Sequence, residues 1–188
     1  MIKTLEAEES PKDVARTRDR QTVERREAFD RFTQSRLERA YRLAGIILRD
    51  RSAAEDAVHE AAINAYRHWD DLRDKARLDA WFDRILVNEC RAQLRRRRVR
   101  PLPGAFVELA SAPDPLAALA ERDRVYRALS TLDSDHRITV VLRYVADLDL
   151  AEVAARTGVP EGTVKSRLHY ARRQMRAALE AAERTPGG

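Results

Sequence analysis

The chain has 188 residues, of which 36% are charged, with a formal net charge of +5 and a pI near 9.7. That length makes one mid-sized domain or two small ones, and so modest a cationic surplus matters through its placement. The lone cysteine, Cys90, excludes an internal disulfide and points to a reducing compartment; no apolar run reaches the length of a membrane span, and the start MIKTLEAEES has no apolar signal core, so a cytoplasmic protein is expected.

With only six glycines and many Ala, Leu, Arg and Glu residues, the composition predicts helices throughout, and no alternating β-branched run argues for a strand. Residues 1–24 are dense in charge and poor in large apolar groups, which predicts a disordered N-terminal arm. An amphipathic helix is expected from about Arg25, with Phe29, Phe32, Leu37, Tyr41, Ala44 and Leu48 on its inner side. Ser52 and Glu55 have capping-box spacing and open a second helix. Ala54, Val58, Ala61, Ala65 and Trp69 line its inner face, and Asp56, Glu60 and Arg67 lie outside. The polar connection DDLRDKARLD has room for a short helical turn and leads to a third helix that Asp79 can cap.

In that third helix Phe82, Leu86, Cys90 and Leu94 repeat toward the core, while Arg84, Asn88, Arg91 and Arg95 share another face. It ends in a block of arginines, Arg95 to Arg98 and Arg100, with no acidic residue from Arg91 to Arg100. Arginines suit a helix C-terminus, but a block this dense repels itself unless a polyanion neutralises it. From Pro101 to Pro115 the chain turns rich in proline and mildly acidic, the signature of a linker, with nothing that fixes its two sides together. A helix over Leu116–Leu132 follows, with Leu119, Tyr126 and Leu129 inward. Asp133 or Ser134 caps the next, where Ile138, Val141, Leu142 and Val145 face the core.

The stretch from Asp149 to Met175 reads as a helix-turn-helix. Asp149 and Glu152 form a capping box, Gly158 supplies the turn, and Pro160 fits the first turn of the second helix. Val164, Leu168, Ala171 and Met175 make a buried stripe; Lys165, His169, Arg172 and Arg176 make a basic one. The N-terminal residues of this helix, Thr163 to Arg167, are the ones a major groove would receive. It is expected to run to about Glu183, followed by a frayed tail over 184–188.

Three stretches in this order resemble the bacterial RNA polymerase sigma factors of the extracytoplasmic-function type, group 4 of the sigma-70 family. AAEDAVHEAAINAYRHWD looks like the helix that docks on the polymerase clamp, LDAWFDRILVNECRAQLRRRR like the helix that melts and reads the −10 promoter element, and the segment from Leu132 to Arg176 like the module that reads the −35 element. The resemblance implies an all-α protein of two small helical domains, 25–100 and 116–183, joined by a flexible linker over 101–115. It implies polymerase binding through Asp56, His59, Glu60 and Arg67. It also implies −10 contacts through Arg84, Asn88, Arg91 and Arg95, with Trp81 anchoring their helix and the loop Leu72–Leu78 holding a flipped base. For the −35 element it implies Thr163, Lys165, Ser166, Arg167, His169, Tyr170 and Arg173. His59 stands where the family often has glutamine, Ala62 where a larger apolar residue is common, and Tyr170 where arginine is frequent; Leu72–Leu78 holds no aromatic residue.

The implied partners are core RNA polymerase, promoter DNA and an anti-sigma factor, with no membrane insertion, cofactor, metal or catalytic residue. The four histidines are scattered, HEAAI lacks the second histidine of a zinc-protease motif, and no glycine-rich phosphate loop is present. The competing reading is a free-standing helix-turn-helix regulator with an N-terminal sensory or dimerisation domain. It predicts a ligand pocket or phosphoacceptor near the N-terminus and leaves the arginine-rich third helix unexplained.

Overall fold

The computed structural model describes residues 11–72, 74–99 and 115–184, and every regular element among them is helical. The expected linker, up to Asp114, and the tail beyond Arg184 lie outside the described residues. The chain divides into two units, Met1–Arg36 and Leu37–Gly188.

The first unit carries α1 (Pro11–Gln34). The expected disordered arm over 1–24 is therefore corrected: from Pro11 onward it is helix. Between Lys12 and Gln34 there is no glycine or proline, and charges of both signs are interspersed. The pairs Arg20–Glu24 at 3.0 Å and Glu27–Arg31 at 3.9 Å sit one turn apart, where each adds a few tenths of a kcal/mol. The helix ends as Thr33 and Ser35 donate their hydroxyls to the carbonyls of Phe29 and Phe32, at 3.0 and 2.9 Å. Such back-bonding competes with the helical ladder, and it breaks the single helix expected over 25–48 at Ser35 and Arg36.

In the second unit, α2 (Leu37–Leu48), α3 (Arg51–Arg67) and α4 (Leu78–Val99) pack against one another. Ala57, Ala61 and Ala65 are 0% exposed and let the backbones approach, while Leu43, Ile47, Val58, Leu86, Val87 and Cys90 fill the interior. Arg49 turns the chain with a φ of 55°. Asp50 then caps α3, accepting from the Ala53 N–H at 2.7 Å; the cap expected at Ser52 is thus displaced to the carboxylate two residues earlier. Tyr41, expected inside, is exposed. The connection to α4 folds into two 3-10 turns, Trp69–Asp71 and Lys75–Arg77. Asp79 lies inside the first turn of α4, where its charge suits the dipole. Trp69 meets Trp81 of α4 at 6.5 Å between ring centroids.

The remaining helices are α5 (Pro115–Thr131), α6 (Ser134–Tyr144), α7 (Leu150–Thr157) and α8 (Glu161–Arg184). Asp133 caps α6 through the His136 N–H. The capping box of α7 is complete: Asp149 accepts from the Glu152 N–H at 2.7 Å, and Glu152 from the Asp149 N–H at 2.9 Å. Gly158 ends α7 with a φ of 71°, which a residue with a Cβ adopts only under strain. Pro160 sits just before α8, not within it, and its carbonyl accepts from Thr163 and Val164. Ile138, Val141, Val153, Val164, Leu168 and Ala171 close the core; each large aliphatic member contributes about 1.5–3 kcal/mol by leaving water. Val145, expected inward, lies beyond the end of α6 and is exposed.

These two groups of helices are docked, α4 on α7 and α2 on α6. No residue of the linker suggests that contact, and its causes lie elsewhere in the chain.

Candidate nucleic-acid interface

On α3, Asp56, His59, Glu60 and Arg67 are all exposed. The spacing of the buried alanines leaves Asp56 and Glu60 one turn apart on the outer face, where both carboxylates meet solvent. Asn64 of α3 donates to Glu89 of α4 at 2.8 Å, which fixes the two helices in register.

The four polar residues of α4 do not share one environment. Asn88 and Arg95 are exposed. Arg84 is exposed as well but lies against the turn of the helix-turn-helix, its Nη2 4.0 Å from where a Cβ on Gly158 would stand. Arg91 is half-buried and doubly held. Its Nε donates to Asp135 of α6 at 3.1 Å, and its Nη1 donates to the Thr157 carbonyl at 3.1 Å. An arginine from α4 thereby caps the C-terminus of α7, where a cation is favoured.

Along α8, Lys165, Ser166, His169, Tyr170 and Arg173 are exposed, and Thr163 is half-buried. Arg167 behaves differently: its Nη2 donates to Asp135 at 2.7 Å, and its side chain is 18% exposed. Asp135 therefore receives Arg91 on one oxygen and Arg167 on the other. Tyr170 packs against His136 at 4.7 Å between ring centroids. Burial pushes the Asp133 carboxyl up, but hydrogen bonds from His136 outweigh it and hold that carboxyl below its ordinary value.

A second carboxylate matches Asp135. Asp83 of α4 is 3% exposed and accepts from Arg156 of α7 at 2.9 Å and from Arg39 of α2 at 2.7 and 3.1 Å. The sequence reading missed Asp83, Asp135, Arg39 and Arg156. A signal for two of them was present. Asp83 precedes Leu86 and Val87 by three and four residues, and Arg156 follows Val153 by three, so both charges sit on inward faces. Among the described residues no cluster of His, Cys, Asp or Glu is arranged to hold a metal, and no helix is long and apolar enough to cross a membrane.

Comparison with known proteins decides the family. Residues 32–100 match the model of sigma-70 region 2, and residues 122–175 match that of sigma-70 region 4. The chain is 31% identical over 153 residues to the RNA polymerase sigma-E factor of Streptomyces avermitilis, spanning 81% of this chain and 86% of that one. The chain belongs to the sigma-70 family. It is a sigma factor of the extracytoplasmic-function type, a protein that directs promoter-specific initiation of transcription. To the extracytoplasmic-function sigma factor SigL of Mycobacterium tuberculosis it is 34% identical over 146 residues, covering 75% of this chain and 80% of the relative. Among solved structures it is similar to the sigma factor RpoE in complex with the anti-sigma factor NepR from Bartonella quintana, with a TM-score of 0.65 and 28% identity over 82% of this chain and 98% of that one. It is also similar to CnrH in complex with the cytosolic domain of CnrY, with a TM-score of 0.63 and 25% identity over 83% and 90%.

Proposed function

We propose that this sigma factor divides its work among three faces. The outer face of α3, with Asp56, His59, Glu60 and Arg67, docks on core RNA polymerase. The polar face of α4, with exposed Arg84, Asn88 and Arg95 and half-buried Arg91, takes the −10 element, and Trp81 sets that helix by its contact with Trp69. The N-terminal half of α8, with Thr163, Lys165, Ser166, Arg167, His169, Tyr170 and Arg173, enters the major groove at the −35 element. The working domains are 25–100 and 116–183. The protein acts in the cytoplasm, needs no cofactor and catalyses no reaction of its own. An anti-sigma factor is a natural partner, a reading supported by two similar solved structures that are complexes with such proteins or their domains.

The observation that carries this reading is the recognition helix itself. A complete capping box, a left-handed glycine and a helix whose first turns expose Lys165, Ser166 and His169 are the parts a groove-reading module needs. Run-off transcription with purified core polymerase and genomic fragments tests it, and promoter-specific transcripts are the expected outcome. The docking face has its own test. Asp56→Arg with Glu60→Arg weakens core binding by more than about 2 kcal/mol, the scale of an interface hot spot. Fluorescence anisotropy with the folded variant reads the effect, and unchanged affinity would move the docking face elsewhere.

A further inference from the structure

We propose that Asp83 and Asp135 form a two-point intramolecular latch that closes α4 on the helix-turn-helix and withholds Arg91 and Arg167 from DNA until promoter phosphates compete for them. The proposal rests on the functional reading above, since it supposes that α4 and α8 are DNA-contacting helices.

Each carboxylate is bridged by one arginine from its own group of helices and one from the other. Asp83 on α4 holds Arg39 from α2 and reaches Arg156 on α7. Asp135 on α6 holds Arg167 from α8 and reaches Arg91 on α4. The two bridges run in opposite directions across one contact, with the Arg91 bond to the Thr157 carbonyl between them. Removing either cross-bond leaves each carboxylate still paired within its own group. The latch therefore has an open state in which neither carboxylate is orphaned: Arg91 is released to solvent or DNA, and Arg167 stays on Asp135 until a phosphate displaces it.

The contact also contains a built-in opposing force. Arg137 of α6 is pushed below its ordinary value by burial and then by the nearby cation of Arg49, with Asp133 opposing. The Nε atoms of Arg49 and Arg137, and Nη1 of Arg167, are buried without a hydrogen bond. Arg39, Arg91, Arg156 and Arg167 thus share Asp83 and Asp135, with Glu152 3.6 Å from Arg156, while Arg137 lies near Arg49 with the partly exposed Asp133 opposing. Such a surplus of half-buried positive charge favours release to a polyanion. A phosphate oxygen offers Arg167 and Arg91 the same charge-assisted bond that Asp135 gives them, so exchange costs little enthalpy.

Asp135→Asn tests the latch on a residue outside the proposed DNA and polymerase faces. Asparagine keeps the shape but removes the charge that both Arg91 and Arg167 seek. The variant's radius of gyration, from small-angle scattering without DNA, is expected to exceed that of the unaltered chain. Its affinity for a short −35 duplex is expected to rise about five-fold, because the closed state no longer taxes binding. A folded variant with unchanged scattering would overturn the latch whatever its affinity, since Asp135→Asn also frees Arg167 within its own group. A second measurement keeps Asp135 in place. Spin labels at Glu55→Cys and Glu180→Cys, both on exposed surfaces, report the separation of α3 and α8. A single distance free in solution that lengthens or broadens when the −35 duplex binds supports opening; the same distance with the duplex bound refutes it. Scattering of the DNA-free variant reads the latch alone, and run-off transcription reads sigma activity alone, so failure of one is distinguishable from failure of the other.

Discussion

α4 and α8 look alike in sequence and differ in what their charges do. Both are amphipathic and both carry arginines at helical spacing on an outer face, and the family resemblance implies DNA contacts for both. In α8 the pattern holds: of its basic stripe, Lys165, His169, Arg172 and Arg176 are exposed. In α4, Arg91 is bound to an aspartate 44 residues away and Arg84 lies against the helix-turn-helix turn. The one residue of α8 that departs from its neighbours, Arg167, is held by the same aspartate. Periodicity thus locates a polar face but not its partners. How far a basic face is open to DNA depends on which of its residues an acid of the same chain already holds.

The largest expected effect lies on the inner face of α4. Leu86 is 2% exposed and one turn from Cys90 on the same inner face. Leu86→Ala is expected to destabilise the protein by about 2–5 kcal/mol, the cost of lost burial plus a cavity. Lys165→Ala, on the exposed face of α8, is expected to stay within about 0.5 kcal/mol of the unaltered chain. Urea unfolding measures both. Equal losses would mean that the outer face of α8 is structural too.

The contrast sharpens within α8. Base contacts specify and phosphate contacts position. Lys165 stands near the start of the helix and Arg176 three turns later, both exposed. Lys165→Ala is expected to change the preference among −35 variants by about 1–3 kcal/mol. Arg176→Ala should weaken all sequences alike and lower the salt slope by about 1. Arg167→Ala, which sequence alone places beside Lys165, should show its discrimination most clearly in an Asp135→Asn background, where the side chain is no longer held. Electrophoretic shifts over a panel of −35 duplexes at several salt concentrations separate these outcomes.

How much of this was legible in sequence follows from the range of each interaction. The capping box at Asp149 and Glu152, the glycine turn and the inner stripe of α8 all depend on residues within one or two turns, and each stands where the spacing puts it except Met175, which is half-buried. The cap of α3 was misplaced by two residues because Ser52 and Glu55 imitate the motif while Asp50, a stronger acceptor, lies just upstream. Over 11–24 the expected arm is helical because charge density alone misses the mixed signs that let Arg20 and Glu24 pair; residues 1–10 lie outside the described residues. The docking of α4 on α7 was invisible for a different reason. Its bonds join residues such as Arg156 and Asp83, 73 apart in sequence, and no local pattern encodes such a pairing. A charge on an inward face is the trace it leaves, and it says that a partner exists without naming it.

The gentlest probe of the comparison is Cys90, which lies on the inner face of α4 and is 0% exposed. Burial, helped by the neighbouring Glu89 carboxylate, pushes its thiol up to about 12. The thiolate is the reactive form, so at pH 8 the folded chain holds roughly one thiolate in ten thousand, against about a quarter for an exposed cysteine. Alkylation of the native protein is therefore expected to be slow and to report opening of the α2–α3–α4 core. The sign of the stability effect follows. A thiol whose folded value is raised contributes stability that is fully present below the unfolded value near 8.5 and is lost as pH climbs toward 12. Leu86→Ala should accelerate labelling, because it loosens the face that Cys90 shares. Asp135→Asn should not, because it parts α4 from the helix-turn-helix and leaves that face intact. Iodoacetamide labelling followed by mass spectrometry distinguishes the two. Fast labelling in Asp135→Asn would mean that the inner and outer faces of α4 open together, and that the division drawn here between a structural face and a latched one is not how the helix behaves.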